Sequence, residues 1–260
     1  MTPKALPSPD KMSFLEHLEE LRQRLVRSLL SLVVAFAVCW SFADPIFHFI
    51  TEPLRRAHPD IKLIYTAPTE AFMLYMKMSF FAGIFLAAPY ILYQVWAFIA
   101  PGLYPHERHY AAPFIVFGSL FFVTGGLFGH YVLFPMTFDF LGQYGARDME
   151  FLPKISEYFG FYSWFLLGLG VVFQLPVLIF VLARIGIVTA GFLVRQLKYA
   201  ALLAFVVTAV ITPSGDIVTQ SALAVPILAL YVLGIGVAWV FGKPRKKVAA
   251  AGKAIEEARS

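Results

Sequence analysis

Six apolar runs, at positions 26–43, 71–100, 110–134, 159–182, 199–211 and 217–241, dominate the sequence, each bounded by charged or turn-forming residues. Crossing the hydrocarbon of a bilayer takes about 20 helical residues, and five of the six runs reach or approach that length. A backbone inside lipid must satisfy its own polar groups, which leaves helices as the conformation for runs of this kind. The expected fold is therefore an all-α polytopic membrane protein, a single integral membrane domain over 1–260 with six transmembrane helices. Composition excludes the alternative of a water-soluble globule: 59% of the 260 residues are hydrophobic and only 14% are charged, against about a quarter in soluble domains.

Basic residues set the expected orientation. Of the 21 Lys and Arg, 15 lie in the N-terminal segment, the second and fourth loops and the C-terminal segment. Five, Arg55, Arg56, Lys62, Arg147 and Lys154, fall in the opposite loops, and Lys77 lies at the outer end of the second run. The excess predicts that both termini are cytoplasmic, with 1–25 an amphipathic N-terminal segment and 243–260 a flexible basic tail. The N-terminus shows no basic cluster followed directly by an apolar core and cleavage site, so it is expected to remain in place. The net charge of +5 is carried at the flanks of apolar runs, where topology and anionic lipid explain it without nucleic acid. A single cysteine, Cys39, excludes an internal disulfide framework or thiolate cluster.

The fifth run, 13 residues, makes about 20 Å of helix against a hydrocarbon core of about 30 Å. Thr212-Pro213-Ser214-Gly215-Asp216 then reverses the chain, which predicts a tight hairpin with a sunken tip and local thinning of the bilayer. Pro89, Pro113, Pro176 and Pro226 lie within apolar runs; each removes a helical hydrogen bond, giving either curvature around a concavity or kinks that serve packing alone. Gly125 and Gly129 form a GxxxG pair that points to close packing within the chain more than to a dimer seam.

Two segments on the basic side carry recognition chemistry. In FLEHLEELRQRLVR (14–27) the residues Phe14, Leu18, Leu21 and Leu25 share one helical face, with Glu16, Glu19, Glu20 and Gln23 opposite. Clustered carboxylates repel at i+3 and i+4, so either a cationic partner relieves them or Glu20 pairs with Arg24 as a solvated surface pair. The loop FIAPGLYPHERHY (98–110) is stiffened by Pro101-Gly102 and Pro105. It holds Glu107 in or near a first helical turn, where the macrodipole alone also favours a carboxylate. Phe98, Leu103 and Tyr104 lie beside it. A carboxylate flanked by apolar and aromatic surface suits a peptide with arginines followed by apolar residues, because lysine cannot copy the guanidinium fork.

At these residues the sequence resembles the TatC family, the multispanning receptor subunit of the twin-arginine protein translocase. The resemblance runs from about Phe14 to Phe241 and rests on HLEELRQRL (17–25), TEPL (51–54), APYILYQVWAFIAPGLYPHER (88–108), FQLP (173–176) and ITPSGD with Gln220. It implies a cupped six-helix bundle with short fifth and sixth helices in the cell membrane, without cofactor or catalytic role. By resemblance Glu20 and Glu107 receive the two arginines of a signal peptide on folded cargo, with Arg22, Phe98, Leu103 and Tyr104 shaping the site. Single-span TatA- and TatB-type subunits are implied to dock near Gln174, Thr212, Asp216 and Gln220, other copies of the chain to assemble with it, and Pro53 to have a structural role in the outer loop. Many relatives carry a glutamate where this chain has Gln174; an amide hydrogen-bonds but does not ionise, which excludes proton relay there.

Rival readings find less support. His106-Glu107-Arg108-His109 lacks the i, i+4 histidine spacing of a zinc protease, Ser214 sits in a turn, and His130 stands alone in its run, so no nucleophile, base and orienter assemble. A solute transporter would be expected to show ionisable residues within its spans, and apart from Lys77 near an end there are almost none.

Overall fold

The computed structural model describes residues 14–57, 63–99, 111–142, 153–212 and 217–242. Every regular element among them is helical: α1 Phe14–Trp40, α2 Ala43–Ala57, α3 Pro68–Ile99, α4 Ala111–Phe128, α5 Phe134–Gly142, α6 Ile155–Val172, α7 Leu175–Ile185, α8 Ala190–Arg195, α9 Leu197–Ile211 and α10 Ile217–Phe241. Five stretches are long and apolar enough to cross a membrane, and α9 is the shorter sixth. We call the side holding the start of α1 and the end of α10 the basic face, and the other the α2 face.

The N-terminal amphipathic segment and the first crossing are one continuous helix of 27 residues. α1 packs along α3 and touches α2 at its end. The face it buries is not the leucine face: Leu18, Leu21 and Leu25 are exposed, while His17, Glu20, Arg24, Ser28, Ala35 and Cys39 turn inward. In lipid an exposed leucine costs nothing, whereas a polar side chain needs a protein partner. At Gly83 the helices come so close that a Cβ would sit 3.1 Å from the Phe36 backbone nitrogen.

α2 fills a region where the sequence offered only a loop. It is amphipathic, burying Ile50, Thr51 and Leu54 against the bundle and leaving Arg55 and Arg56 exposed. Pro53 lies inside it and is buried. Beyond α2, the backbone of Ile64 bonds to Pro153 and Ile155, joining the start of α3 to the start of α6. At 32 residues α3 is about 48 Å long and projects from a hydrocarbon layer of about 30 Å at both ends. Glu70 in its first turn lies in that projection. It accepts hydrogen bonds from the Thr66 and Ala67 backbone amides at 2.8 and 3.3 Å. The Ser156 hydroxyl foremost, then these amides and the Lys154 ammonium, hold its carboxyl well down, at about 2.

The third crossing passes from α4 through a π turn, Gly129–Leu133, into α5. The fourth is interrupted between α6 and α7 at Phe173 and Gln174, where Pro176 in the first turn of α7 has no amide to give the preceding turn. Pro89 and Pro226, by contrast, lie inside continuous helices, and Pro113 occupies the first turn of α4, where its missing donor is not needed. Gly125 and Gly129 face α6: added Cβ atoms would meet Phe173 and Leu169 side-chain atoms at 2.8 Å. The pair is a packing contact within the chain.

α9 has 15 residues, short as expected, but α8 continues it across a break at Gln196. The Tyr231 hydroxyl donates to the Leu193 carbonyl of α8, and Gln220 Nε2 donates to the Phe205 carbonyl of α9, so both short helices lie along α10. Together, residues 190–211 make about 33 Å of helix, and α8 supplies length that α9 lacks. α10 itself has 25 residues, not the shortness that the resemblance implies for a sixth helix. The hairpin tip, 213–216, and the tail, 243–260, lie outside the described residues. The largest core cluster gathers Tyr162, Phe134, Phe165, Met78, Leu169 and Leu223 from four helices.

Candidate functional site

On the basic face the ends of α1 and α3 meet. His17 stacks on Phe98 with ring centroids 4.4 Å apart and planes 16° from parallel. Two turns along α1, Arg24 donates from Nη2 to Glu20 Oε1 at 3.2 Å and from Nη1 to Gln94 Oε1 at 3.1 Å. Gln94, on α3, is 2% exposed. The Glu20 and Arg24 side chains are 15% and 22% exposed, so the pair foreseen as a solvated surface contact is a sheltered one, pinned by a third residue. Glu20 Oε2 is buried and accepts no hydrogen bond from any described residue. A buried carboxylate oxygen without a donor forgoes a charge-assisted bond worth about 1.5–3 kcal/mol.

The other carboxylates of this helix are arranged differently. Glu19 pairs with Arg22 at 3.5 Å and accepts from Gln23 Nε2 at 3.4 Å. Arg22, 76% exposed, points away from Glu20. The helical face that grouped Glu16, Glu19 and Glu20 is thus split, with Glu20 turned to α3 and Glu19 to the exterior. Of the remaining residues expected at this site, Glu107, Leu103 and Tyr104 lie outside the described residues. Their segment leaves α3 just after Phe98 and enters α4 at Ala111.

The residues implied for partner contact occupy separate places. Gln174, at the α6–α7 break, donates from Nε2 to the Gly118 carbonyl of α4 at 2.9 Å, satisfying backbone within the chain. Thr212 is buried and donates to the Thr208 carbonyl at 2.6 Å, while Gln220 is half-buried and bonds to α9. Asp216 lies outside the described residues.

His130 is not isolated. The π turn aims it into the core, 1% exposed, where Nδ1 lies 2.8 Å from the Tyr162 hydroxyl and Nε2 lies 3.7 Å from Glu52 Oε2. Phe49 stacks on its ring at 4.1 Å, and Glu52 pairs with Arg56. The one available signal was the presence of a titratable residue in an apolar run, which calls for a partner somewhere; the partners are far away in sequence. Among the described residues no group of three or more His, Cys, Asp or Glu could hold a metal ion.

Comparison with known proteins bears on what this arrangement is for. Residues 16–226 match the model of the family described as Sec-independent protein translocase protein (TatC). A protein of that name from Koribacter versatilis is 46% identical over 241 residues, covering 91% of this chain and 89% of its own. Another from Desulforapulum autotrophicum is 40% identical over 237 residues, 91% and 87% of the two chains. Among solved structures, a twin arginine translocase receptor TatC in DDM matches with a TM-score of 0.77 at 33% identity, covering 88% of this chain and all of that one. A second crystal structure of such a receptor gives 0.74 at the same identity, over 86% and 98%. With its six crossings, broken fourth helix and short fifth, this chain belongs to the TatC family of Sec-independent protein translocase proteins.

Proposed function

We propose that the chain is the receptor and core subunit of a twin-arginine translocase, binding Arg-Arg signal peptides of folded cargo on the basic face. The observation that carries this reading is the half-satisfied carboxylate of Glu20: Arg24 and Gln94 hold Oε1, and Oε2 is sheltered and without a donor. An incoming guanidinium supplies that donor and gains a charge-assisted hydrogen bond in a site already partly dry. The apolar residues that follow the arginine pair in such a peptide meet the His17–Phe98 stack. Glu107 takes the second arginine, Leu103 and Tyr104 extend the apolar contact, and Arg22 acts from the exposed rim.

The basic face is cytoplasmic on this reading, since it carries the excess of Lys and Arg, and the membrane is the inner one. TatA- and TatB-type single-span subunits and further copies of the chain complete the complex. Gln220, half-buried on α10, offers a partner helix its amide, with Thr212 and Asp216 nearby in sequence; Gln174 contributes by tying the α6–α7 break to α4. Pro53, buried in α2, shapes the opposite face. The family is a transport component rather than an enzyme.

The test is equilibrium binding of a twin-arginine peptide to the purified chain. Replacing Arg-Arg by Lys-Lys, or introducing Glu20→Gln or Glu107→Gln, is expected to weaken binding at least tenfold, the loss of one charge-assisted bond of about 1.5–3 kcal/mol. Unchanged affinity in the Glu20→Gln, Glu107→Gln double variant sinks the site assignment.

A further inference from the structure

Lys77 is a cation inside a crossing. It lies nine residues into α3, about 13 Å from the helix start and a few ångströms below the level at which the hydrocarbon of about 30 Å begins if α3 is centred in it. It is exposed and has no hydrogen bond, ion pair or ring contact with any described residue. An unpaired ammonium at this depth needs either water or an anion. Side chains on a helix lean toward its N-terminus, so that of Lys77 leans toward the α2-side headgroups, within the range that lysine bridges by snorkelling.

Below Lys77, toward the middle of the membrane, a cavity of about 530 Å³ lies between α1, α3 and α6. Phe80, Phe81 and Ile84 continue the Lys77 face of α3 at i+3, i+4 and i+7, and Phe159 and Leu167 line the opposite wall on α6. α3 and α6 both begin at the α2 face, so the two stripes descend side by side. The site is amphiphilic in one direction, with a positive charge at the headgroup end and an apolar trough beneath it. A transmembrane helix about 10 Å across and 30 Å long occupies more than 2,000 Å³, several times this cavity; a single acyl chain is the occupant of the right girth.

We propose that Lys77 and this trough form a binding site for an anionic phospholipid of the α2-side leaflet. Its phosphate pairs with the Lys77 ammonium, and one acyl chain lies against Phe80, Phe81 and Ile84. The site is separate from the Glu20 region, which lies at the other end of α1 and α3.

The full chain in mild detergent, titrated with phosphatidylglycerol or with phosphatidylcholine of the same acyl chains, tests this by native mass spectrometry of bound lipid. One phosphatidylglycerol is expected to bind about fivefold more tightly than phosphatidylcholine, the preference that one lysine near a headgroup confers. The preference is expected to vanish in Lys77→Gln and to persist in Lys77→Arg and in Arg55→Gln, an exposed charge at the same face. Ile84→Trp, which fills the trough, is expected to lower binding of both lipids. Retention of the preference in Lys77→Gln, or undiminished binding in Ile84→Trp, overturns the proposal. So does a carboxylate-bearing transmembrane peptide that binds in a Lys77-dependent way while neither lipid does. Should Lys77→Gln not fold, the Lys77→Arg and Ile84→Trp results decide.

Discussion

On the proposed reading of Glu20 as a peptide site, Gln94 sets how much of its carboxylate is open to a ligand. While Gln94 accepts from Arg24 Nη1, only Nη2 is left for Glu20. Without that acceptor both guanidinium nitrogens can fork onto both carboxylate oxygens, the geometry that Arg and carboxylate prefer. Gln94→Leu is therefore expected to reduce affinity for a twin-arginine peptide about tenfold, with no loss of folded protein, as read by peptide titration beside a thermal unfolding scan. An unchanged affinity would remove Gln94 from the site. At the opposite end of α3, Glu70 is a carboxylate whose pKa of about 2 in the folded state lies below the ordinary 4.3 or so. A depressed carboxyl contributes stabilisation that is fully present above its unfolded pKa and is lost as pH falls from about 4.3 to about 2. Amide protection at Thr66 and Ala67, the exchange rate taken relative to the intrinsic rate at each pH, is expected to fall through that window in the wild type, whereas Glu70→Gln should show the same protection at pH 5 and pH 2. The Glu20–Arg24 pair was legible from the sequence as one of two ways to relieve a cluster of like charges at i+3 and i+4, though its shelter was not. Gln94 and Glu70 were not, because an amide or a carboxylate near a helix end has many ordinary uses and only the fold says which neighbour it meets.

Helices in this protein carry their information at breaks. The extra residue of the π turn rotates the helix that follows it by roughly 100°, one residue's turn, and His130 lies within that turn, aimed at Tyr162 in the core. His130, Tyr162 and Glu52 come from three elements and link α2, the third crossing and the fourth. His130→Leu and Tyr162→Phe are each expected to destabilise by about 1–3 kcal/mol, since each strands a buried polar partner. The double variant should lose about 1 kcal/mol less than the two losses added together, because the partners act on one bond. Full additivity in a denaturant series would show that the contact is not a working hydrogen bond. The sequence announced the proline at the α6–α7 break, but four prolines were equally visible and only Pro176 interrupts a crossing. Whether a proline breaks a helix depends on what restores the freed backbone. At this break the Gln174 amide ties the chain to the Gly118 carbonyl of α4, a pairing of residues far apart in sequence. α2 was missed for a related reason: with 15 residues and charges at its end, it is too short for a span, and its apolar stripe has meaning only against the bundle it covers.

Across the described residues the core of the molecule is apolar, with Leu169 and Leu223 in it, but α1 turns its polar stripe inward and its leucines outward, and this is why the apolar face of α1 misled about which side packs. Long apolar runs specify crossings because length is set by the bilayer, a constraint the sequence carries by itself; which faces meet is set by sparse polar pairs, which it does not display. Orientation belongs to the first kind of information. A charge excess of 15 to 5 predicts both ends on the side where Lys and Arg are retained during insertion, and an even number of crossings requires that the ends agree. Cys39 makes the test simple, since the one native thiol is buried in the first crossing and should stay silent toward a membrane-impermeant maleimide. In intact cells a cysteine introduced as Arg55→Cys, exposed on α2, is expected to label from outside. Cysteines introduced as Ser8→Cys and Ala250→Cys should label only after the membrane is opened. Labelling of either terminal position in intact cells would mean an inverted or odd-numbered topology, and would carry Glu20 and its unsatisfied oxygen to the wrong side of the membrane for a receptor of cytoplasmic cargo.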